Sequence, residues 1–299
     1  MTGAGTQADP YVPENWSDFI TAAGTSGAYV KFADDTVWDL NDLGGIIGSV
    51  NIKATHIDGN GAVIKNLMTL GGGYCFSIDS TYNSNTTGGH YPRMLDNFIF
   101  ENVYIADSSA FLKYSNGASG GISDWMYPTI VNCQFSGVVA DSCFFYHNTN
   151  SPTTYVLEIL SCSFNLRFIG NSTLVYRANP NFNISILPYY ADFLFSGAMS
   201  RDANGAQVWA MNSRFTGDWA VNNLTVGGSS YESPYNVFNV TVPSGYTLTA
   251  TSGATITKNL VNSTKISGTV GSAFTQVTDS QLQDASYLAS IGFPIATGV

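Results

Sequence analysis

Charge is scarce in this sequence: Asp, Glu, Lys and Arg make up 11% of the 299 residues, roughly half the usual share. The 11 cations stand against 21 acids for a net charge of −10 and form no basic cluster. Nucleic-acid binding is therefore not expected, because neutralising phosphates takes clustered Lys and Arg. Cysteine is scarce too. Cys75, Cys133, Cys143 and Cys162 show neither metal-site spacing nor the density of a disulfide scaffold, so they read as small apolar core groups. His56, His90 and His147 are scattered, with no Ser or Cys partner at related positions, and no acidic cluster forms a coordination list. Neither a metal nor a cofactor is expected. Residues Met1 to Gln7 lack a basic region and an apolar stretch, so no secretory signal, membrane anchor or membrane insertion is expected.

What is present is a repeat. It is plainest in Ile130-Val131-Asn132-Cys133-Gln134-Phe135-Ser136-Gly137, with Asn132 as pivot. The same frame fits Asn66, Asn102, Ser161, Asp192, Asn212 and Asn239, so successive pivots lie 36, 30, 29, 31, 20 and 27 residues apart by subtraction. Before each pivot the even offsets are mostly apolar, as in Ile64, Phe100, Ile130 and Ile159. After it the odd offsets take over, as in Val103, Cys133, Cys162 and Phe193. Along a continuous strand an inward set keeps its parity, so a parity switch requires a bend. A short polar residue that tolerates the left-handed region can supply that bend.

Stacked coil on coil, these pivots predict an inward polar ladder inside an apolar tube. A third inward run follows each bend, at Phe111 to Tyr114, Cys143 to Tyr146 and Leu174 to Tyr176. Three short strands per turn of about thirty residues describe an all-β, right-handed parallel β-helix solenoid. A β-sandwich or propeller would need antiparallel pairs with tight turns and would leave the phase change unexplained.

The ends read as caps. Trp16, Phe19, Ile20 and Ala23 fall at helical spacing before Gly24, predicting a short helix over the first coil. Near the other end, Thr278-Asp279-Ser280-Gln281 forms a capping box ahead of Leu282, Ala285, Leu288 and Ala289. One domain over 1–299 follows: an N-terminal cap at 1–45, coils at 46–243, and C-terminal strands with a capping helix at 244–299.

Uneven loops, among them Thr81 to Arg93 and Ser115 to Tyr127, would project from one side of the solenoid, where binding often lives. Tyr82, Trp125 and Tyr127 are candidates there for stacking on sugar rings. For catalysis, Glu101 and Glu158 stand two coils apart, at roughly 10 Å if strands stack ~4.8 Å apart. Asp107 and Asp141 precede the third strand on adjacent coils, about 5 Å apart by the same spacing, which would suit a retaining glycosidase pair. Asp before a strand is also ordinary turn chemistry. On the outward side, Ile99, Val131, Leu160, Tyr189, Trp209, Met211 and Phe238 predict an exposed apolar stripe that would be covered by a loop or packed against copies of the same chain.

The opening Gly5-Thr6-Gln7-Ala8-Asp9-Pro10-Tyr11 with Trp16-Ser17-Asp18-Phe19, and the close Leu282-Gln283-Asp284-Ala285-Ser286-Tyr287-Leu288 with Ile291-Gly292-Phe293, resemble the terminal signatures of pectate-lyase-like β-helix proteins of bacteriophage virions and bacterial surfaces. The resemblance covers the two ends and the repeat but carries no catalytic motif. It implies a non-enzymatic virion protein, such as a capsid decoration, head fibre or tail appendage. The resemblance further implies a homotrimer joined along the apolar stripe, with other virion proteins as partners and host-surface glycans as candidate ligands. It also leaves open a tailspike-type polysaccharide depolymerase, lyase or glycoside hydrolase, and a bacterial surface adhesin.

Overall fold

The computed structural model describes residues 1–43, 49–78, 93–116, 128–149, 157–178, 186–197, 199–220, 224–226, 235–250 and 259–293. Its strands lie in three sheets of ten, eleven and five strands among the described residues. The chain visits the sheets in rotation. Thr129–Val131 enters the ten-stranded sheet, Gln134–Ala140 the eleven-stranded one and Cys143–Thr149 the five-stranded one. The next round, Leu157–Leu160, Ser163–Ile169 and Thr173–Arg177, lies beside it in register and parallel. The fold is thus all-β, built of stacked parallel sheets and compatible with a β-helix-like solenoid. No helix among the described residues is long and apolar enough to cross a membrane.

Hydrophobic side chains repeated at one register position hold these rounds together. Phe100, Phe135, Phe164, Phe193, Phe215 and Phe238 are direct neighbours in the eleven-stranded sheet. Their rings stack nearly face to face, with successive centroids 5.2, 4.8, 4.7, 4.8 and 4.8 Å apart. Parallel strands force this arrangement, since identical positions recur at every strand spacing. Phe111 and Phe144 make a second stack at 4.8 Å against the flank of the first.

The bend that switches parity lies three residues before each ring of the first stack. Asn97, Asn132, Ser161, Tyr190, Asn212 and Tyr235 all have positive φ there, between 49° and 67°. Asp35 and Gly61 continue the column under Trp38 and Ile64. The expectation of bends at Asn132, Ser161 and Asn212 therefore matches the backbone. The other four pivots lie elsewhere. Asn66 and Asn102 occupy a second left-handed position, and Asn102 falls where the register slips between Phe135 and Gly137. Gly137 accommodates that slip, since a Cβ there would come within 2.1 Å of the Val103 carbonyl oxygen. Asp192 and Asn239 are ordinary strand residues.

The inward polar ladder must also be corrected: none of the seven pivots is buried, and Asn102, Asn132, Ser161 and Asp192 are exposed. At a left-handed corner the side chain is thrown outward and the following residue dives into the core. The buried column is Phe98, Cys133, Cys162, Ala191, Ser213 and Asn236, followed by Asn259. Along it the chemistry turns from apolar to amide. Cys133 donates its backbone N–H to the Cys162 sulfur at 3.4 Å, Ser213 its own to Asn236 Oδ1 at 3.0 Å, and Asn236 Nδ2 to Asn259 Oδ1 at 2.7 Å. All four cysteines are free and buried.

The N-terminal helix Trp16–Ala23 is capped by the Asn15 side chain, which accepts the Asp18 N–H at 2.9 Å. It places Phe19 against Phe32 and Phe76, closing the first coil, while Ile20, expected on the same apolar face, is exposed. At the far end Phe274 meets Phe238 edge-on at 5.4 Å and covers the last ring of the stack. The helices Asp279–Gln283 and Ala285–Ser290 gather Leu282, Tyr287 and Leu288 over the outer side of Val237 and Leu260 instead. The capping box at Thr278 and Gln281 is present.

Candidate functional site

The five-stranded sheet has the fewest strands of the three among the described residues. Strands Tyr74–Ile78, Ala110–Asn116, Cys143–Thr149 and Thr173–Arg177 run in register, and each is followed by a segment outside the described residues. Tyr82, Trp125 and Tyr127 fall in those segments. Within the strands, two consecutive residues turn inward, as at Phe111 and Leu112 or Phe144 and Phe145, and the next residue faces away from the core. That residue is Lys113, Tyr146 or Tyr176, three register neighbours that were expected inside. An expectation of continuous inward runs overlooked the second parity switch.

The consequence is a row of aromatic rings on the outer face. Tyr74 lies 5.8 Å from Tyr146, and Tyr146 stacks on Tyr176 at 5.7 Å. A cation sits over each end of the row, with Lys113 Nζ 4.8 Å from the Tyr74 ring centre and Arg201 Cζ 4.3 Å from that of Tyr176. Such contacts contribute about 0.5–1 kcal/mol each at exposed sites and hold the rings in place. Arg201 comes from segment 199–206, which takes the position a further strand would occupy; its N–H bonds the Ser172 carbonyl at 3.0 Å. All five side chains are half-buried. Burial raises the pKa values of the Tyr74 and Tyr146 phenols, so both stay neutral hydrogen-bond donors.

Beneath this row, on the inner side of the same strands, Tyr114, His147 and Arg177 stack rung on rung and are almost wholly buried. The Tyr114 and His147 rings lie 4.6 Å apart and nearly parallel. Burial, and then the Arg177 charge, hold the His147 imidazole down at about 3, so it is neutral at ordinary pH. Burial likewise depresses the Arg177 guanidinium.

Of the carboxylates considered for catalysis, Asp107 and Asp141 stand on adjacent rungs as expected, with the Ser108 N–H donating to the Asp141 carbonyl at 3.1 Å, whereas Glu101 and Glu158 are separated. Asp107 and Asp141 are exposed corner residues with positive φ, and Asp141 Oδ1 accepts the Asn171 N–H at 2.8 Å. Both thus have a turn-forming role that accounts for them. Glu101 and Glu158, expected in different outward columns two coils apart, lie in different sheets: Glu101 pairs with Lys65 at 3.3 Å, whereas Glu158 accepts from the Thr129 hydroxyl at 3.2 Å. Burial raises the Glu158 pKa.

On the same outer face as Glu158, His56 Nε2 lies 3.3 Å from Asp96 Oδ2, and Lys31 Nζ lies 4.0 Å from Asp58. Glu158 is three rungs from His56 in its register column, ~14 Å, too far for the two to act on one bond. No group of three or more His, Cys, Asp or Glu among the described residues is arranged to hold a metal.

The apolar stripe also changes. Phe238 is wholly inside the core, and Val131 and Trp209 are buried at 8% and 9% exposure. Ile99, Leu160, Tyr189 and Met211 are half-buried, with Ile99 in the eleven-stranded sheet and the other three aligned beside Val131 in the ten-stranded one. Parity counted from a misplaced pivot put Phe238 on the wrong side.

No protein-family model matches the chain, and a search of the curated proteins finds no match.

Proposed function

We propose that this protein is a right-handed parallel β-helix of the pectate-lyase-like virion or bacterial-surface kind, a non-enzymatic appendage that holds carbohydrate on the outer face of its five-stranded sheet. The single observation that carries the ligand class is the row Tyr74, Tyr146 and Tyr176, flanked by Lys113 and Arg201. Aromatic faces repeated along one direction suit sugar rings repeated along a polymer, and strands ~4.8 Å apart set a step close to the length of one pyranose unit. The virion assignment is supported by the resemblance of the two terminal segments. A homotrimer would have to be built on Ile99, Leu160, Tyr189 and Met211, and sedimentation at micromolar concentration tests it.

The test is incubation of the full chain with bacterial capsular and cell-wall polysaccharides. Retention of a polysaccharide without new reducing ends or unsaturated products, abolished by Tyr146→Ala with Tyr176→Ala, supports the reading. Release of such products overturns it in favour of a depolymerase, and binding that survives the double substitution removes the site.

A further inference from the structure

The chain carries a net charge of −10 and only 11 cations, and three of those that the structure places are paired with carboxylates. Lys31 faces Asp58, Lys65 faces Glu101, and Arg214 grips Asp192 through two hydrogen bonds of 2.7 and 2.9 Å. Lys113 and Arg201 differ. Neither makes an ion pair among the described residues; each lies over a tyrosine ring of the same row. A guanidinium stacked on a ring has its flat face occupied and its N–H fork still directed outward in the plane, the geometry that matches a carboxylate. An ammonium on a ring likewise keeps donors for a second partner.

The spacing narrows the partner. Lys113 lies in the strand Ala110–Asn116, and Arg201 borders the strand two places further along the sheet, three rungs on, ~14 Å at the usual strand spacing. Two positive charges over that length, with tyrosines between them, match a chain whose acids are separated by sugar rings. They do not match one phosphate per nucleotide, which would need a continuous cationic groove. In an otherwise acidic molecule they also form a local attractive point for a polyanion.

We infer that the polymer held on this row is an anionic polysaccharide bearing carboxylates, laid across successive rungs, with its sugar rings on Tyr146 and Tyr176 and its carboxylates at Arg201 and Lys113. This rests on the carbohydrate-binding reading above. It adds the charge class of the ligand and the residues that select it.

The test measures binding of the full chain to uronate-containing capsular polysaccharides, alginate, polygalacturonate and hyaluronate, each beside its carboxyl-reduced form, with single-stranded DNA as a further polyanion. Carboxyl reduction is expected to weaken binding about tenfold or more, as losing a charge-assisted hydrogen bond does. Arg201→Gln and Lys113→Gln should each shrink that difference while thermal melts show the protein still folded at the assay temperature, and Tyr146→Ala should weaken both forms alike. Equal binding of native and reduced polymers overturns the anion inference and leaves the carbohydrate reading standing. Binding of single-stranded DNA as tight as that of any polysaccharide overturns it as well. Binding of no polysaccharide in either form overturns both readings together.

Discussion

Replacing Phe164 tests whether the ring stack stabilises the stacked sheets beyond simple burial. Phe164 is 2% exposed, lies 4.8 Å from Phe135 and 4.7 Å from Phe193 with nearly parallel rings, and meets Phe144 and Phe145 edge-on near 6 Å. Leucine keeps most of the hydrocarbon but none of the ring pairing. The two stacked pairs alone, at about 0.5–1.5 kcal/mol each, give a loss of at least about 1–3 kcal/mol for Phe164→Leu, to which the two edge-on pairs add. Phe164→Ala adds a cavity and should cost about 3–5 kcal/mol. Phe274 provides the internal control, since it covers the end of the stack and touches only the last ring, Phe238, edge-on at 5.4 Å. Phe274→Leu should therefore cost about 0.5–1.5 kcal/mol. Urea unfolding reads all three, with Trp219 fluorescence as the signal because its indole is buried against Phe215 and Phe238. The shift should appear in the midpoint and not in the slope. Phe164→Leu within about 0.5 kcal/mol of the parent, inside the scatter of neutral substitutions, would refute a contribution from stacking.

Three further outcomes are expected. Tyr190 holds φ 53° at a corner and is 68% exposed, so Tyr190→Asn should stabilise by roughly 0.5–1 kcal/mol, since asparagine tolerates the left-handed region that costs other L-residues about 1–2 kcal/mol; a loss of stability in thermal melts would mean that the ring has a partner of its own. His147 is held at about 3 in the folded chain against 6.5 when unfolded, so as pH falls from 6.5 towards 3 the unfolded state takes up a proton that the folded state refuses. Stability should decline on acidification by up to about 1.4 kcal/mol per pH unit from this group. His147→Phe, which preserves the ring against Tyr114, should flatten that part of the curve, and an unchanged slope would show that the imidazole is reached by solvent. Burial pushes the Cys143 thiol up to about 12 and raises Cys75 and Cys133 as well; a thiol reagent should therefore label none of the four cysteines in native buffer and all four in denaturant.

The stacking was legible because parallel strands repeated in register write their period into the chain. The phase change across Asn132 and Ser161 revealed a corner between two strands, and the corner is there. The frame slipped at Asn102, where a second left-handed asparagine five residues on was taken for the corner Asn97, and again where the corner residue is not a small polar one. At Tyr190 and Tyr235 a tyrosine adopts the left-handed conformation, so a search for Asn, Ser and Asp passed on to Asp192 and Asn239. The phenylalanines were the better ruler, because in-register stacking of large rings constrains the core more tightly than a solvent-facing corner does. Counting three residues back from Phe100, Phe135, Phe164, Phe193, Phe215 and Phe238 reaches every corner in that stretch.

The candidate site was far less legible. Tyr74, Tyr146 and Tyr176 occur about thirty residues apart or more, in strands whose parity changes between neighbouring residues, and Arg201 arrives from a segment that is not a strand. Periodicity alone assigned Tyr146 and Tyr176 to the core, as it assigned Phe238 to the surface.

By itself the sequence determined the repeat, the parallel stacking it implies, the apolar interior, the helical starts at Asn15 and Thr278, and the poverty of charge. These follow from local spacing and composition, which neighbouring residues express without reference to distant ones. Only the tertiary structure decided which side of each strand faces out, that the corner residues meet solvent while Cys133, Ser213 and Asn236 dive inward, and that two cations lie over a shared row of tyrosines. Those outcomes depend on single-residue register between coils, where a slip of one position exchanges core for surface.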